Sequence, residues 1–268
     1  MNAPRPVTVI TGASSGIGAE LARVFARQGH ELVVVARRQE KLTALAAEIA
    51  RNGCPEPLVL PLDLGQQGVS RQIGEVLAAR GLAPQFIVNN AAFGLLGKAA
   101  ELDREEQLAM IDLNVRTLTE LSLAFLDSLA RHRGGILNVA SVAGFLPGPG
   151  MAVYYATKGY VLSFSDALHY ELRKQGIRVT TLCPGPVITE FQARAGIPEA
   201  NLPRMLRQPP ESVAEAGYRG LMGGRRCVVP GIFNKVVTFL PRLVPRRLLL
   251  AAIDASQKSR RTSATPLT

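Results

Sequence analysis

The chain has 268 residues, 47% of them hydrophobic, and a formal net charge of +10; that length fits one large α/β domain or two small ones, with a sizeable core. The three cysteines, Cys54, Cys183 and Cys227, are odd in number and widely spaced without a C-x-x-C, which excludes a disulfide framework or a cysteine zinc site. The three histidines, His30, His132 and His169, lack metal-ligand spacing, so no metal is expected.

Apolar strand residues begin at Val7, which leaves no room ahead of them for a signal peptide, and the expected location is cytoplasmic. Val7 to Thr11 reads as a strand. Gly12, Gly16 and Gly18 follow in G-x-x-x-G-x-G spacing, and then Ile17, Leu21, Val24 and Phe25 recur at helical intervals until Gly29-His30. A glycine turn between strand and helix lets backbone approach a phosphate closely, and the helix N-terminus attracts anions. Glu31 to Ala36 is a second strand, ending in Arg37-Arg38. A dinucleotide-binding half places an acid near here for the ribose of NAD, whereas arginine suits the 2′-phosphate of NADP; two arginines and no acid favour NADP(H).

Further elements alternate. A helix covers Lys41 to Arg51 and a strand Pro57 to Leu62, ending in Asp63-Leu64. A helix covers Val69 to Arg80 and a strand Gln85 to Val88, ending in Asn89-Asn90-Ala91-Ala92. Arg104 to Leu129 reads as one long helix carrying Asn114. A strand over Gly135 to Ala140 delivers Ser141, and Met151 to Lys174 is a helix. The uncharged run 134–157 holds Asn138, Pro147, Pro149 and several glycines, so it reads as a buried strand and a loop rather than a membrane span. Ile177 to Cys183 is a sixth strand before Pro184-Gly185-Pro186-Val187-Ile188-Thr189, and Cys227 to Pro230 a seventh, at an edge. Unbroken alternation predicts a doubly wound parallel sheet, with ligands outside the carboxyl ends of its strands, where all these polar motifs fall.

Tyr154 and Lys158 stand at i, i+4 and share a helix face. A phenol ionises near pH ~10, and an ammonium beside it favours the phenolate and lowers that value. Tyr154 is thus a candidate acid/base, with Ser141 placed to hold an oxygen next to it.

Together these motifs resemble the short-chain dehydrogenase/reductase family, in its order, from Val7 to about Thr189. The resemblance implies a seven-stranded Rossmann-type catalytic domain over residues 1–230, with a substrate lid near 190–210. It implies Tyr154 as proton donor or base, Lys158 as its pKa-lowering partner and ribose ligand, Ser141 on the substrate oxygen, and Asn114 keeping a water in the proton relay through a local irregularity in its helix. It implies that Gly12, Ser14, Ser15, Gly16, Ile17 and Gly18 cradle the cofactor, Asp63, Leu64, Asn90 and Ala91 flank its adenine side, and Pro184, Gly185, Val187 and Thr189 hold the nicotinamide. Arg37 takes the 2′-phosphate position, helped by Arg38. Two departures stand out: Ala92 replaces the family's usual glycine, and Ser15 replaces a basic residue of some NADP-dependent members. A homodimer or homotetramer, built through the Tyr154 and Asn114 helices, is also implied.

Phe93, the 146–151 loop and the apolar residues of the lid predict a lipophilic carbonyl or alcohol substrate, with Phe93, Ser141 and Tyr154 against it. From Arg219 onward ten Lys/Arg face a single acid, Asp254, whereas the first 218 residues are close to neutral. Residues 231–268 form a basic, apolar extension whose apolar pieces are too short to span a bilayer. It is compatible with peripheral contact to an anionic membrane, packing on a partner subunit, or closure over the active site. Ser256 to Thr268 is polar, which predicts disorder. The aromatic-basic interleaving of nucleic-acid binders is missing. Alternatives to an NADP(H)-dependent carbonyl/alcohol oxidoreductase are a non-catalytic NADP-binding protein and a membrane-surface protein organised by the tail.

Overall fold

The computed structural model describes residues 3–197 and 204–262. In chain order the first elements are β1 (Arg5–Thr11), α1 (Gly16–Arg27), β2 (Leu32–Ala36), α2 (Gln39–Arg51), β3 (Leu58–Pro61), α3 (Val69–Ala79) and β4 (Leu82–Asn89). Then come α4 (Arg104–Ile111), a π-helical segment (Asp112–Thr117), α5 (Leu118–Ala124), α6 (Leu126–Arg131), β5 (Gly135–Val139), α7 (Ala152–Leu172) and β6 (Arg178–Leu182). The chain continues through α8 (Glu190–Ala195), α9 (Pro210–Met222), β7 (Cys227–Val228), α10 (Ile232–Phe239) and α11 (Arg246–Thr262).

The seven strands form one parallel sheet in the order β3-β2-β1-β4-β5-β6-β7. Its strands are buried on both faces, and their alternation sorts side chains into two cores. Ile10, Val34, Phe86 and Leu137 meet Leu21 and Phe25 of α1, Leu42 of α2 and Val213 of α9 on one side. Val9, Val33, Ile87 and Ile136 meet Ile73 of α3, Leu121 of α5, Leu129 of α6 and Leu168 of α7 on the other. Each fully buried Leu, Ile, Val or Phe here contributes about 1.5–3 kcal/mol of transfer free energy. The chain winds outward from β1 through β2 to β3, then returns to lay β4 on the opposite side of β1. The crevice at this reversal is where open α/β sheets bind ligands.

Two sequence expectations are corrected. The Arg104 to Leu129 pattern is not one helix: it passes through the π-helical segment and breaks at Phe125, whose φ is −119°. A one-residue shift of hydrogen-bond register leaves the apolar periodicity nearly intact, so it does not show in the pattern. The stretch from Ser256 is helical as far as Thr262, because Gln257 is buried and its Nε2 donates to the Tyr155 hydroxyl at 3.3 Å. Residues 263–268 lie outside the described residues. The stretch expected as a lid opens on a short helix, α8, started by a capping box in which Thr189 and Gln192 exchange side-chain and backbone hydrogen bonds. Its residues 198–203 lie outside the described residues, and a single turn at Arg204–Leu206 precedes α9.

Candidate active site

The carboxyl ends of β1, β2, β4, β5 and β6 open into one cleft of about 900 Å³. Of the residues predicted at the site, Gly12, Ser14, Ser15, Gly16, Ile17, Arg37, Arg38, Asp63, Leu64, Asn90, Ala91, Phe93, Ser141, Tyr154, Lys158, Pro184, Gly185, Val187 and Thr189 line it. Gly18 and Asn114 are not among its lining residues: Gly18 acts on the wall through packing and Asn114 through hydrogen bonds.

The glycine turn requires its glycines. Gly12 and Gly16 have φ of +65° and +56°, a region that favours glycine. Gly18 has an ordinary backbone, but a Cβ there would stand 2.2 Å from the Gly12 carbonyl oxygen and 2.4 Å from Asn90 Nδ2. Asn90 Nδ2 donates to the carbonyls of Thr11 at 3.0 Å and Gly12 at 3.2 Å, and so ties the end of β4 to the turn. Asn90 is thus a buttress of the turn as well as a lining residue, which the sequence reading did not distinguish. Ser15, the N-cap of α1, makes no side-chain cap bond, and the first turn of α1 carries no acid. The residues fit a dinucleotide: bare backbone and a helix N-terminus suit its pyrophosphate. The seat beside them is cationic. Arg38 donates through Nη2 to Ser14 Oγ at 2.8 Å and Ser15 Oγ at 2.9 Å, and through Nη1 to Glu190 Oε2 at 2.6 Å.

β5 delivers Ser141, whose Oγ accepts from Ala143 N at 3.1 Å and donates to the Pro184 carbonyl at 3.5 Å. One turn along α7 from Tyr154, Lys158 is buried, and its Nζ donates to the Val139 carbonyl at 2.8 Å. Its Nζ lies 5.9 Å from the centre of the Tyr154 ring. Burial pulls Lys158 down from 10.5 to about 8. Burial also pushes the Tyr154 phenol up. The expectation of a lowered phenol is therefore corrected: desolvation of the phenolate outweighs the lowering influence of Ser141.

Asn114, in the π-helical segment, is buried with its amide fully used. Its Oδ1 accepts from Phe93 N at 3.1 Å, and its Nδ2 donates to Phe93 O at 2.9 Å and Thr157 Oγ1 at 3.1 Å. Thr157 in turn donates to Tyr154 O at 2.7 Å. Asn114 thus links the loop after β4 to the turn of α7 that carries Tyr154.

Two contributors, Gln192 and Glu190, were missed from sequence, whereas Phe191 was read among the apolar residues of the lid and closure of the tail over the site was one of its open placements. Phe191 of α8 packs on Tyr154, with ring centres 5.3 Å apart. Gln192 donates to Val187 O at 2.6 Å; the T-x-x-Q spacing of its capping box was a readable signal. Glu190 pairs with Arg38 and Lys41 and is held down to about 2 by hydrogen bonds from Lys41 and Arg38, a contact with no local signature. The tail lines the cleft through Val237, Ile253 and Gln257.

The short chain dehydrogenase family model matches residues 6–199, and the chain belongs to that family of oxidoreductases. It is 36% identical over 188 residues to sulfoacetaldehyde reductase 2 of Chromohalobacter salexigens, covering 69% of this chain and 74% of that one. Among solved structures, a short-chain dehydrogenase from Sphingobium yanoikuyae in complex with NADPH superposes with a TM-score of 0.77 at 31% identity, covering 98% of both chains. The bulky-bulky ketone specific alcohol dehydrogenase from Comamonas testosteroni gives 0.72 at 28% identity, covering 100% of this chain and 97% of that one.

Proposed function

We propose that this chain is an NADP(H)-dependent oxidoreductase that interconverts a hydrophobic carbonyl compound and its alcohol, with Tyr154 as the acid/base. The observation that carries this reading is the meeting of Ser141, Tyr154 and Lys158 in the same cleft as the glycine turn and the Arg38 seat. When bound, NADP(H) supplies or accepts the hydride. Ser141 Oγ, fixed by Ala143 N, and the Tyr154 hydroxyl donate to the carbonyl oxygen, where negative charge develops during reduction. A buried phenol that stays protonated through the neutral range is suited to give its proton to that oxygen. Lys158, charged below about pH 8, lies near enough to stabilise the phenolate left behind. Arg38 and Arg37 take the 2′-phosphate, Asp63, Leu64, Asn90 and Ala91 the adenine side, and Pro184 to Thr189 the nicotinamide.

The apolar lining supports a lipophilic substrate: Phe93, Leu146, Met151, Phe191, Leu206, Val237 and Ile253 face the cleft. The ketone dehydrogenase from Comamonas testosteroni, similar over its whole length, supports the same class. The test is NADPH oxidation across ketones of rising apolar bulk. Each buried methylene contributes about 0.8 kcal/mol, so kcat/KM rises roughly fourfold per methylene until the cleft is full. Faster turnover of small polar aldehydes than of bulky ketones would overturn the lipophilic assignment.

Leu108 and Ile111 of α4, Leu123 of α5 and Tyr160 of α7 are exposed, which supports a second copy packing on that face as a homodimer or homotetramer. A second reading concerns the tail. The outer face of α10 and the turn after it exposes Ile232, Phe233, Val236, Phe239, Leu240 and Leu243, with Lys235 among them and Arg246 and Arg247 beside them. A symmetric self-contact there would set these cations against their own copies, whereas an anionic lipid surface complements them. The expected result is flotation with phosphatidylglycerol vesicles, weakened with phosphatidylcholine alone and lost in a Phe233→Ser, Val236→Ser variant. Equal flotation of the variant removes the membrane reading. Among the described residues no helix is long and apolar enough to cross a membrane.

A further inference from the structure

The cationic seat beside the glycine turn is built for an oxyanion and already holds one. Arg38 and Lys41 both donate to the Glu190 carboxylate, and Arg38 also holds Ser14 and Ser15. A guanidinium, an ammonium and two hydroxyls form a set of groups that recognises phosphate. Here they are filled by a side chain about 150 residues away in sequence. Arg38, Lys41 and Glu190 are 45%, 46% and 49% exposed, so water screens the ion pairs and they exchange readily.

We propose that Glu190 is an internal competitor for the 2′-phosphate seat, and that an NADP-type cofactor displaces it and so unlatches α8. This rests on the NADP(H) reading above. A phosphate dianion and a carboxylate at the same two cations repel one another, so the phosphate takes the seat and the carboxylate leaves it. Glu190 is the first residue of α8, and its neighbours on that helix touch the chemistry: Phe191 packs on Tyr154, and Gln192 holds the Val187 carbonyl of the loop after β6. Occupancy of the adenosine end is in this way communicated to the wall that covers Tyr154. A cofactor without the 2′-phosphate leaves the Glu190 latch in place. Glu190 is a positioning and specificity residue in this account, and it touches no reacting atom.

The experiment titrates the full-length protein and its Glu190→Gln variant with adenosine 2′,5′-bisphosphate, adenosine 5′-phosphate, NADPH and NADH by calorimetry, and follows amide exchange over residues 190–195. Glu190 is exposed, so the variant is expected to fold. Removing two screened ion pairs tightens the bisphosphate and NADPH about fivefold and leaves adenosine 5′-phosphate and NADH within about twofold. In the wild-type protein the bisphosphate speeds exchange over α8, and adenosine 5′-phosphate does not. The proposal is overturned if Glu190→Gln shifts NADPH and NADH equally or weakens the bisphosphate, or if α8 exchange ignores the bisphosphate. An Arg38→Ala variant separates the two levels. If it weakens the bisphosphate while Glu190→Gln changes nothing, only the latch fails. If the wild-type protein binds the bisphosphate no better than adenosine 5′-phosphate, the NADP(H) reading fails and takes the latch with it.

Discussion

Lys158 Nζ donates to the backbone carbonyl of Val139 at 2.8 Å. That bond ties the middle of α7 to the last residue of β5, two residues before Ser141, and sets the lysine, the serine and Tyr154 in one frame. It also compensates part of the cost of burying an ammonium, and the rest appears as the fall of Lys158 to about 8.

The cost has a pH signature. Lys158 titrates at 10.5 in the unfolded chain and about 8 in the folded one. Between those values the unfolded chain binds a proton that the folded chain does not, so stability rises with pH across that window. Below about pH 8 the penalty is fully present, on the order of 3 kcal/mol. A Lys158→Met variant lacks it. Thermal melts are therefore expected to show the variant gaining on the wild type most at pH 7, with the difference narrowing by pH 10. A difference that does not change with pH would contradict the buried-ammonium account. Turnover in the same variant is expected to fall at every pH.

Gly18 offers a test of the turn. Its absent Cβ would meet the Gly12 carbonyl at 2.2 Å, a backbone atom that cannot step aside. A Gly18→Ala substitution is expected to cost about 1–3 kcal/mol by overpacking, seen as a lowered Tm, and to weaken cofactor binding because Gly12 and Asn90 are pushed apart. An unchanged Tm would show that the turn relaxes freely.

Asn114 satisfies both backbone groups of Phe93 from inside a buried wall. An Asn114→Ala variant leaves a part-buried N–H and a part-buried carbonyl of Phe93 without this partner, and is expected to lose about 1–3 kcal/mol in denaturant melts. Asn114→Asp keeps the acceptor toward Phe93 N and should lose less if the carboxyl stays at the same site. Equal losses would show that the amide donor does all of the work.

The alternation of apolar strands with amphipathic helices was legible from Val7 onward, because parallel strands buried on both faces leave short apolar runs that turn residues punctuate. The gathering of Gly12, Arg37, Asn90, Ser141 and Pro184 was legible too, since each follows a strand and parallel strands end on one side; that Arg38 rather than Arg37 holds Ser14, Ser15 and Glu190 was not. The irregularity at Asn114 was implied by the resemblance, although a change of hydrogen-bond register leaves the apolar pattern of its helix unchanged. Three features were hidden for physical reasons. The Arg38–Glu190 contact joins residues with no local relationship. At Tyr154, i, i+4 spacing placed the lysine correctly, but the direction of the phenol's shift depends on desolvation, which only the packed cleft sets. The residues after Ser256 look polar in sequence, yet burial of Gln257 against Tyr155 holds them helical through Thr262.

The central claim is that Tyr154 transfers the proton, and one measurement addresses it most directly: NADPH affinity and ketone turnover of a Tyr154→Phe variant in the same preparation. Phenylalanine keeps the ring and its packing on Phe191 and removes only the hydroxyl. The account predicts NADPH binding within about twofold of wild type and turnover reduced about 10²–10⁴-fold, the usual contribution of a positioned acid or base. Full turnover with NADPH bound would contradict it and move the proton source elsewhere in the cleft.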